Sequence, residues 1–213
     1  KILSIGINLS GRINYSTGYS YSYFNFYEDP LSKYFEQEIG INTFLENDTK
    51  ALSYAEFNSG IIKNEKDVLF INIDTGIGLG ILINQNVYYG KSGFSGEFGH
   101  IPIFENDVLC RCGKIGCLET EASGYALRKL VISKIKNGAT TILNSSFKNV
   151  DDIKLNDIIN AAQKDDNLSI ECINYIGDKL GKGVAALINI FNPELIIVGG
   201  LIAKADDYLS LPL

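Results

Sequence analysis

The chain has 213 residues, 46% hydrophobic and 21% charged, with a net charge of −6. That composition is ordinary for a globular protein and leaves room for a substantial core in one large domain or two small ones. No apolar run reaches the roughly 18 residues that span a membrane, no basic stretch leads into an apolar one as in a secretion signal, and no Lys/Arg cluster supplies the electrostatic footprint of a nucleic-acid binder.

In chain order, residues 2–7 form a short apolar run, predicted as a buried strand. Leu9-Ser10-Gly11-Arg12 turns it into a loop. Residues 15–27 are rich in Tyr and Phe, with Tyr19, Tyr21 and Tyr23 alternating as in a half-exposed extended segment; one of these rings is also placed to stack on a sugar. Asp29-Pro30 predicts a helix start, with Asp29 as N-cap and Pro30 at the first helical position, ending at Gly40. A short strand at 43–45 leads into Glu46-Asn47-Asp48, and a helix follows over about 49–58, ending at Gly60. Strands at 68–73 and 79–83 flank Asp74-Thr75-Gly76-Ile77-Gly78, and Asn84-Gln85-Asn86 reads as a hairpin turn before a strand at 87–89. The remainder is helical over about 125–136, 155–163 and 168–191, until Asn192-Pro193 stops the last helix. In that helix Ile173, Ile176, Leu180, Leu187 and Phe191 share a face, Gly177, Gly181, Gly183 and Ala185 permit close backbone packing, and Cys172 is a core residue. A buried strand at 194–198 runs into Gly199-Gly200. Strands alternating with helices predict an α/β protein.

The most informative stretch is Glu97-Phe98-Gly99-His100, nine further residues, then Cys110-Arg111-Cys112-Gly113-Lys114-Ile115-Gly116-Cys117-Leu118-Glu119. It holds the single histidine and three of the four cysteines. Three thiolates and one imidazole suit a closed tetrahedral zinc site; a disulfide cluster and unrelated buried residues are the competing readings. A metal set of this kind fits a reducing cytoplasm. Asn47-Asp48 lies where a strand meets a helix, so Asp48 reads either as a general base facing a cleft or as a helix cap. Asp74-Thr75-Gly76-Ile77-Gly78-Leu79-Gly80 and Gly199-Gly200 can admit phosphates through backbone N–H groups or simply turn the chain. Glu97, Asp48 and Glu119 can accept hydrogen bonds from sugar hydroxyls; Glu119 otherwise reads as a solvated carboxylate at a helix start.

Glu46-Asn47-Asp48, Thr75-Gly76-Ile77-Gly78, Gly96-Glu97-Phe98-Gly99-His100, the 110–119 cysteine run and Val198-Gly199-Gly200 occur in this order. The combination resembles the ROK family of sugar-responsive transcriptional repressors and sugar kinases over nearly the whole chain. The resemblance implies the actin-like ATPase (ribonuclease-H-like) fold, with residues 1–60 as the remainder of the small N-terminal domain and 61–213 as the large domain with the zinc loop. It implies a structural zinc on His100, Cys110, Cys112 and Cys117, and sugar contacts from Asn47, Asp48, Glu97, His100 and Glu119. Asp48 would be the general base of an ATP- and magnesium-dependent hexose or N-acetylhexosamine 6-kinase, with Thr75, Gly76, Gly78, Gly199 and Gly200 at the nucleotide.

Two departures favour the repressor branch. The family's N-terminal Asp-x-Gly-x-Thr phosphate loop is not found, so the chain is expected to be truncated, as it is at its other end. Asp74 and Leu79 replace two glycines of the kinases' Gly-Thr-Gly-Ile-Gly-Gly-Gly loop, and a leucine is expected to place a side chain where phosphates approach. The expectation is therefore the effector domain of a cytoplasmic, homodimeric regulator that binds a sugar or sugar phosphate, reaches DNA only through a segment outside this chain, and has no membrane association.

Overall fold

The computed structural model describes residues 1–25 and 28–213; the end of the Tyr-rich segment, Phe26 and Tyr27, lies outside the described residues. The chain divides into two compact units. One comprises Lys1–Phe70, Leu79–Gly96 and Glu194–Ile196; the other comprises Ile71–Gly78, Glu97–Pro193 and Ile197–Leu213. No helix among the described residues is long and apolar enough to cross a membrane.

In the first unit, β1 (Ile5–Leu9) pairs in parallel with β4 (Thr43–Asn47), Ile5 opposite Thr43 and Leu9 opposite Asn47. Between them come the short antiparallel pair β2 (Ile13–Asn14) and β3 (Tyr19–Ser20) and the helix α1 (Leu31–Ile39). Ile13, Leu31 and Leu45 form the core here, with Ile7, Leu9, Tyr34 and Phe35 packed against it. The first strand is not the fully buried run expected from residues 2–7. It begins at Ile5, and Gly6 and Asn8 are exposed while Ile5, Ile7 and Leu9 are partly covered. A strand covered on one face alternates, and the pattern Ile-Gly-Ile-Asn-Leu is that alternation. Helix α1 also starts one residue late. Pro30, with ψ 134°, takes the capping position, no side chain caps the helix, and Asp29 instead pairs with Lys33 one turn on, at 3.2 Å.

Helix α2 (Asp48–Ser59) follows β4 directly. Next come β5 (Val68–Ile73), β6 (Ile77–Ile83) and β7 (Asn86–Val87). The β6–β7 hairpin turns on Asn84 and Gln85, whose φ values of 50° and 65° are those a two-residue type I′ turn demands. All six residues of β5 are buried. The four-stranded sheet has the order β7-β6-β5-β8. Its last member, β8 (Leu195–Gly199), is an edge strand with only Ile197 buried, which corrects the expectation of a buried strand at 194–198.

The second unit is mainly helical: α3 (Glu119–Ala122), α4 (Gly124–Lys136), α5 (Leu143–Ser146), α6 (Leu155–Ala162), α7 (Asn167–Phe191) and α8 (Asp207–Ser210). On α7, Ile173, Ile176, Leu180 and Leu187 are buried, as their spacing requires, and Cys172 is a core residue. The glycines of that helix admit close neighbours. A Cβ on Gly177 would lie 2.8 Å from the Leu209 carbonyl oxygen, and one on Gly183 would lie 2.7 Å from the Phe98 ring. Ala185, read with them, is exposed.

Asp166 caps α7. Its carboxylate accepts hydrogen bonds from Ser169 N (3.0 Å), Ser169 Oγ (2.7 Å), Thr141 Oγ1 (2.9 Å) and Ile142 N (3.0 Å). Burial opposes ionisation, but these bonds outweigh it and hold the carboxyl below the usual range. A group whose folded pKa is depressed stabilises the fold above its unfolded pKa of about 3.9, and that contribution is lost as pH falls through the folded value. Asp166→Asn is therefore expected to cost about 1–2 kcal/mol at pH 7 and progressively less below about pH 4, measured by urea unfolding across that range.

Candidate functional site

The 97–119 segment is laced to itself by backbone bonds. A 3-10 turn, Phe98–His100, carries the histidine, and His100 N donates to Glu97 O at 3.0 Å. Pro102 bridges Cys117 and Leu109 bridges Ile115, so the cysteine run folds back as a tight knuckle. At its base the Gly116 carbonyl accepts from Ile103 N (2.9 Å) and Phe104 N (3.0 Å). Gly116 has φ 75°, and a Cβ there would lie 2.0 Å from the Phe104 carbonyl oxygen, so only glycine fits.

This knuckle brings the ligand-type atoms of His100, Cys110, Cys112 and Cys117 within 4.8 Å of one another. His100 Nδ1 faces Cys110 Sγ at 3.5 Å, and Cys112 Sγ faces Cys117 Sγ at 3.6 Å. A tetrahedron with zinc–sulfur bonds of about 2.3 Å and a zinc–nitrogen bond of about 2.0–2.1 Å has sulfur–nitrogen edges of about 3.6 Å and sulfur–sulfur edges of about 3.8 Å. The four residues can hold a metal ion in that geometry. All four cysteines of the chain are free thiols, which removes the disulfide reading. Burial pushes the Cys117 thiol up to about 12, with Cys112 and Cys110 adding to the effect. At Cys112 burial acts the same way, but the Lys114 amide and both neighbouring thiols outweigh it and the thiol lies below its ordinary value. Such unequal sulfurs compete for protons that a divalent cation would displace.

Glu119 is the first residue of α3 and only 8% exposed, not the solvated carboxylate that is one reading of its sequence. Arg111, between two of the cysteines, grips it at two points, Nε to Oε1 at 3.1 Å and Nη2 to Oε2 at 3.4 Å. The backbone N–H of Ile77 donates to Oε2 at 3.0 Å. A Cβ on Gly99 would lie 2.8 Å from Ile77 O and 3.3 Å from Glu119 Cβ, so the histidine turn sits against both. Glu97, His100, Glu119, Thr75, Gly76, Gly78 and the cysteines thus belong to one unit, as do Gly199 and Gly200. Arg111 was not among the expected site residues; its place inside Cys-Arg-Cys was the available signal.

The Asp74–Gly78 loop differs from the expectation drawn from Leu79. Leu79 is the third residue of β6 and 4% exposed, so its side chain is buried in the fold. The consequential departure is Asp74, whose Oδ1 accepts from Leu201 N at 2.7 Å and whose carbonyl accepts from Gly124 N at 2.8 Å. Gly200, at φ 89°, approaches the end of β5 so closely that a Cβ would lie 2.6 Å from Ile73 O.

Asn47 and Asp48 belong to the other unit. Asn47, not Asp48, caps α2: its Oδ1 accepts from Lys50 N at 3.0 Å and its Nδ2 donates to Gly11 O at 2.9 Å. Asp48 is the first helical residue, with Oδ2 accepting from Ser10 Oγ at 2.5 Å and Oδ1 from Thr49 N at 2.7 Å.

Gly76 is wedged under Glu119, since a Cβ there would lie 2.6 Å from Oε2 and 3.3 Å from Arg111 Nη2. Gly76→Ala is expected to displace the Arg111–Glu119 pair and cost about 1–3 kcal/mol, read as a lowered urea midpoint.

Comparison with known proteins bears on the whole of this arrangement. The model of the ROK family matches residues 1–212. A glucokinase of Halalkalibacterium halodurans is 31% identical over 215 residues, covering 100% of this chain and 65% of that protein. The DNA-binding transcriptional dual regulator NagC of Escherichia coli is 35% identical over 174 residues, covering 82% of this chain and 42% of that protein. Among solved structures, a ROK family transcriptional regulator described as a homologue of the E. coli MLC protein superposes with a TM-score of 0.85 at 33% identity, covering 99% of this chain and 52% of that one. A ROK family glucokinase from Streptomyces griseus, solved with glucose and AMPPNP, superposes with a TM-score of 0.89 at 28% identity, covering 100% and 70%. The chain thus spans between about two-fifths and two-thirds of the curated relatives compared here. With the family's motifs present in order along an α/β chain of the actin-like ATPase fold, this chain belongs to the ROK family.

Proposed function

We propose that the chain is the sugar-binding effector part of a ROK-type transcriptional regulator, in which Asn47, Asp48, Glu97, His100 and Glu119 contact the sugar. The observation that carries this reading is Asp74. Its carboxylate occupies the donor of Leu201 and puts a negative charge between the two glycine-bearing loops, at 74–78 and 199–201, that a kinase would offer to nucleotide phosphates. Phosphates are bound by backbone N–H groups and cations; a carboxylate takes up such an N–H and repels a phosphate directly. The DNA-binding segment would lie outside these residues, and sugar binding would act by favouring one arrangement of the protein over another. The division at residues 1–60 and 61–213, a homodimeric state and a cytoplasmic location belong to the same proposal.

Zinc is the metal that the His100, Cys110, Cys112 and Cys117 set suits, because three sulfurs and one nitrogen at tetrahedral spacing leave no open position for catalysis. With Nδ1 on the metal, Nε2 of His100 would carry the proton and donate to a sugar hydroxyl. The metal would then act by fixing the histidine ring and the knuckle that bears Arg111 and leads to Glu119.

A sugar kinase is the second reading. Asp48 favours it, being partly buried at a strand–helix junction with its carboxylate oriented by Ser10 and Thr49. A carboxylate so placed can deprotonate a hydroxyl, and phosphoryl transfer to a hexose or N-acetylhexosamine with ATP and magnesium asks for little more than position and charge.

Calorimetry of the full-length protein against D-glucose, N-acetyl-D-glucosamine, D-xylose and ATP with magnesium separates the two. We expect one of the sugars to bind, Asp48→Asn to weaken it about tenfold, and ATP to give no heat. Sugar-dependent ATP turnover that Asp48→Asn abolishes would transfer the chain to the kinases. Elemental analysis should find about one zinc per chain. Cys112→Ser should lose the metal and weaken sugar binding at least about tenfold; a folded variant with unchanged sugar affinity would refute the link between metal and sugar.

A further inference from the structure

Lys50 is only 4% exposed, although a lysine in the first turn of a helix ordinarily reaches solvent. Its backbone N–H is held by the Asn47 cap at 3.0 Å. Its ammonium donates to the Gly93 carbonyl at 2.6 Å and stands 6.0 Å from the centroid of the Tyr89 ring. Tyr89 in turn donates its hydroxyl to Glu46 Oε2 at 2.8 Å, and Glu46 Oε1 accepts from Asn47 N at 2.7 Å. The Tyr15 ring lies tilted against Tyr89, with the ring centroids 4.0 Å apart. Burial, and then the Glu46 bond, raise the Tyr89 phenol, so it stays a neutral donor.

The loop that Lys50 grips is also held by its own Ser95 N–H to Tyr89 O bond and by shape. Gly93 lies so close to β2 that a Cβ would be 2.5 Å from the Ile13 carbonyl oxygen, and Phe94 meets the edge of Tyr21 at 5.2 Å and the guanidinium of Arg12 at 5.8 Å. Within one unit, therefore, two links join the residues on either side of Asp48 to the 88–96 loop: the Lys50 ammonium on Gly93, and the Tyr89 hydroxyl on Glu46.

We infer that Lys50 is a positioning residue for sugar binding: its ammonium fixes the 88–96 loop against the Asn47-Asp48 turn, so that the two present one preformed surface to the ligand. The inference rests on the sugar-binding reading above and adds to it a residue that touches no sugar. A buried ammonium suits the task because leaving the Gly93 carbonyl unpaired is costly, so the loop has one strongly preferred place. A loop ordered beforehand spares the ligand the entropy of ordering it.

The test uses the full-length protein with whichever of glucose, N-acetylglucosamine and xylose it binds most tightly. Lys50→Met keeps the chain length and removes the donor. It is expected to weaken that sugar about tenfold and to speed hydrogen exchange at the Ser95 amide, which is bonded to Tyr89 O at 3.3 Å, with the amides of α2 unaffected. Lys50→Arg retains a donor for Gly93 and a cation for Tyr89, and is expected to stay within about threefold of the parent. Unchanged affinity in Lys50→Met, or lost affinity with Ser95 still protected, overturns the inference. If the Met variant does not fold, a folded Lys50→Arg with affinity reduced tenfold or more overturns it. Asp48→Asn reports separately on the site: if it binds the sugar like the parent, the placement of the sugar at Asn47-Asp48 fails and the Lys50 inference with it, whereas a weakened Asp48→Asn beside an unaffected Lys50→Met leaves the site standing and removes only Lys50.

Discussion

The knuckle at 110–117 depends on crowding four ligand-type side chains into one small volume. With every ligand atom of His100, Cys110, Cys112 and Cys117 within 4.8 Å of the others, the backbone between them has almost no freedom. Gly116 must pass over Phe104, Arg111 must leave the knuckle on the side of Glu119, and the Phe98–His100 turn must lie against Ile77. Burial acts against ionisation at both Cys117 and Cys112, and only at Cys112 do the Lys114 amide and the neighbouring thiols outweigh it. A divalent cation would convert the crowding into cohesion, because each sulfur then serves as an anionic ligand.

Glu119 shows how the crowding is transmitted. A carboxylate this buried needs compensation, and it has a two-point guanidinium pair and a backbone N–H. Arg111 comes from the knuckle and Ile77 from β6, so the carboxylate joins the cysteine run to the 74–78 loop. The same loop is joined to the residues after β8 by Asp74. That bond places a charged side chain at the junction of the two glycine-bearing loops. The relatives of this chain include both regulators and kinases.

In the other unit the organising element is the strand–helix junction at Asn47-Asp48. Asn47 takes the capping role, which leaves the Asp48 carboxylate available to Ser10 from the loop after β1. Lys50 ties the same turn to the 88–96 loop. Three separate segments thus meet at residues 46–50, and none of the bonds that join them is local.

Residue order and spacing were enough to place the helices at about 125–136 and 168–191, the hairpin turn at Asn84-Gln85-Asn86, the core face of α7 and the His/Cys cluster that could hold a metal. Each of these rests on local rules: a 3.6-residue period, a turn that needs positive φ, or a ligand type that few other roles require. Boundaries were less legible. Pro30 fits either just outside or just inside a helix, and strand burial depends on which edge and face neighbours cover, hence the corrections at α1, β1 and β8. What only the tertiary structure decided is where the charges go. Asp74 finds Leu201 127 residues away, Lys50 finds Gly93 at a separation of 43, and Asn47 finds Gly11 at 36. Sequence determined which groups were available to bind a metal, a sugar or a phosphate; the long-range packing determined which of them were already spoken for, because a hydrogen-bond partner is set by distance in space and leaves no periodic trace along the chain.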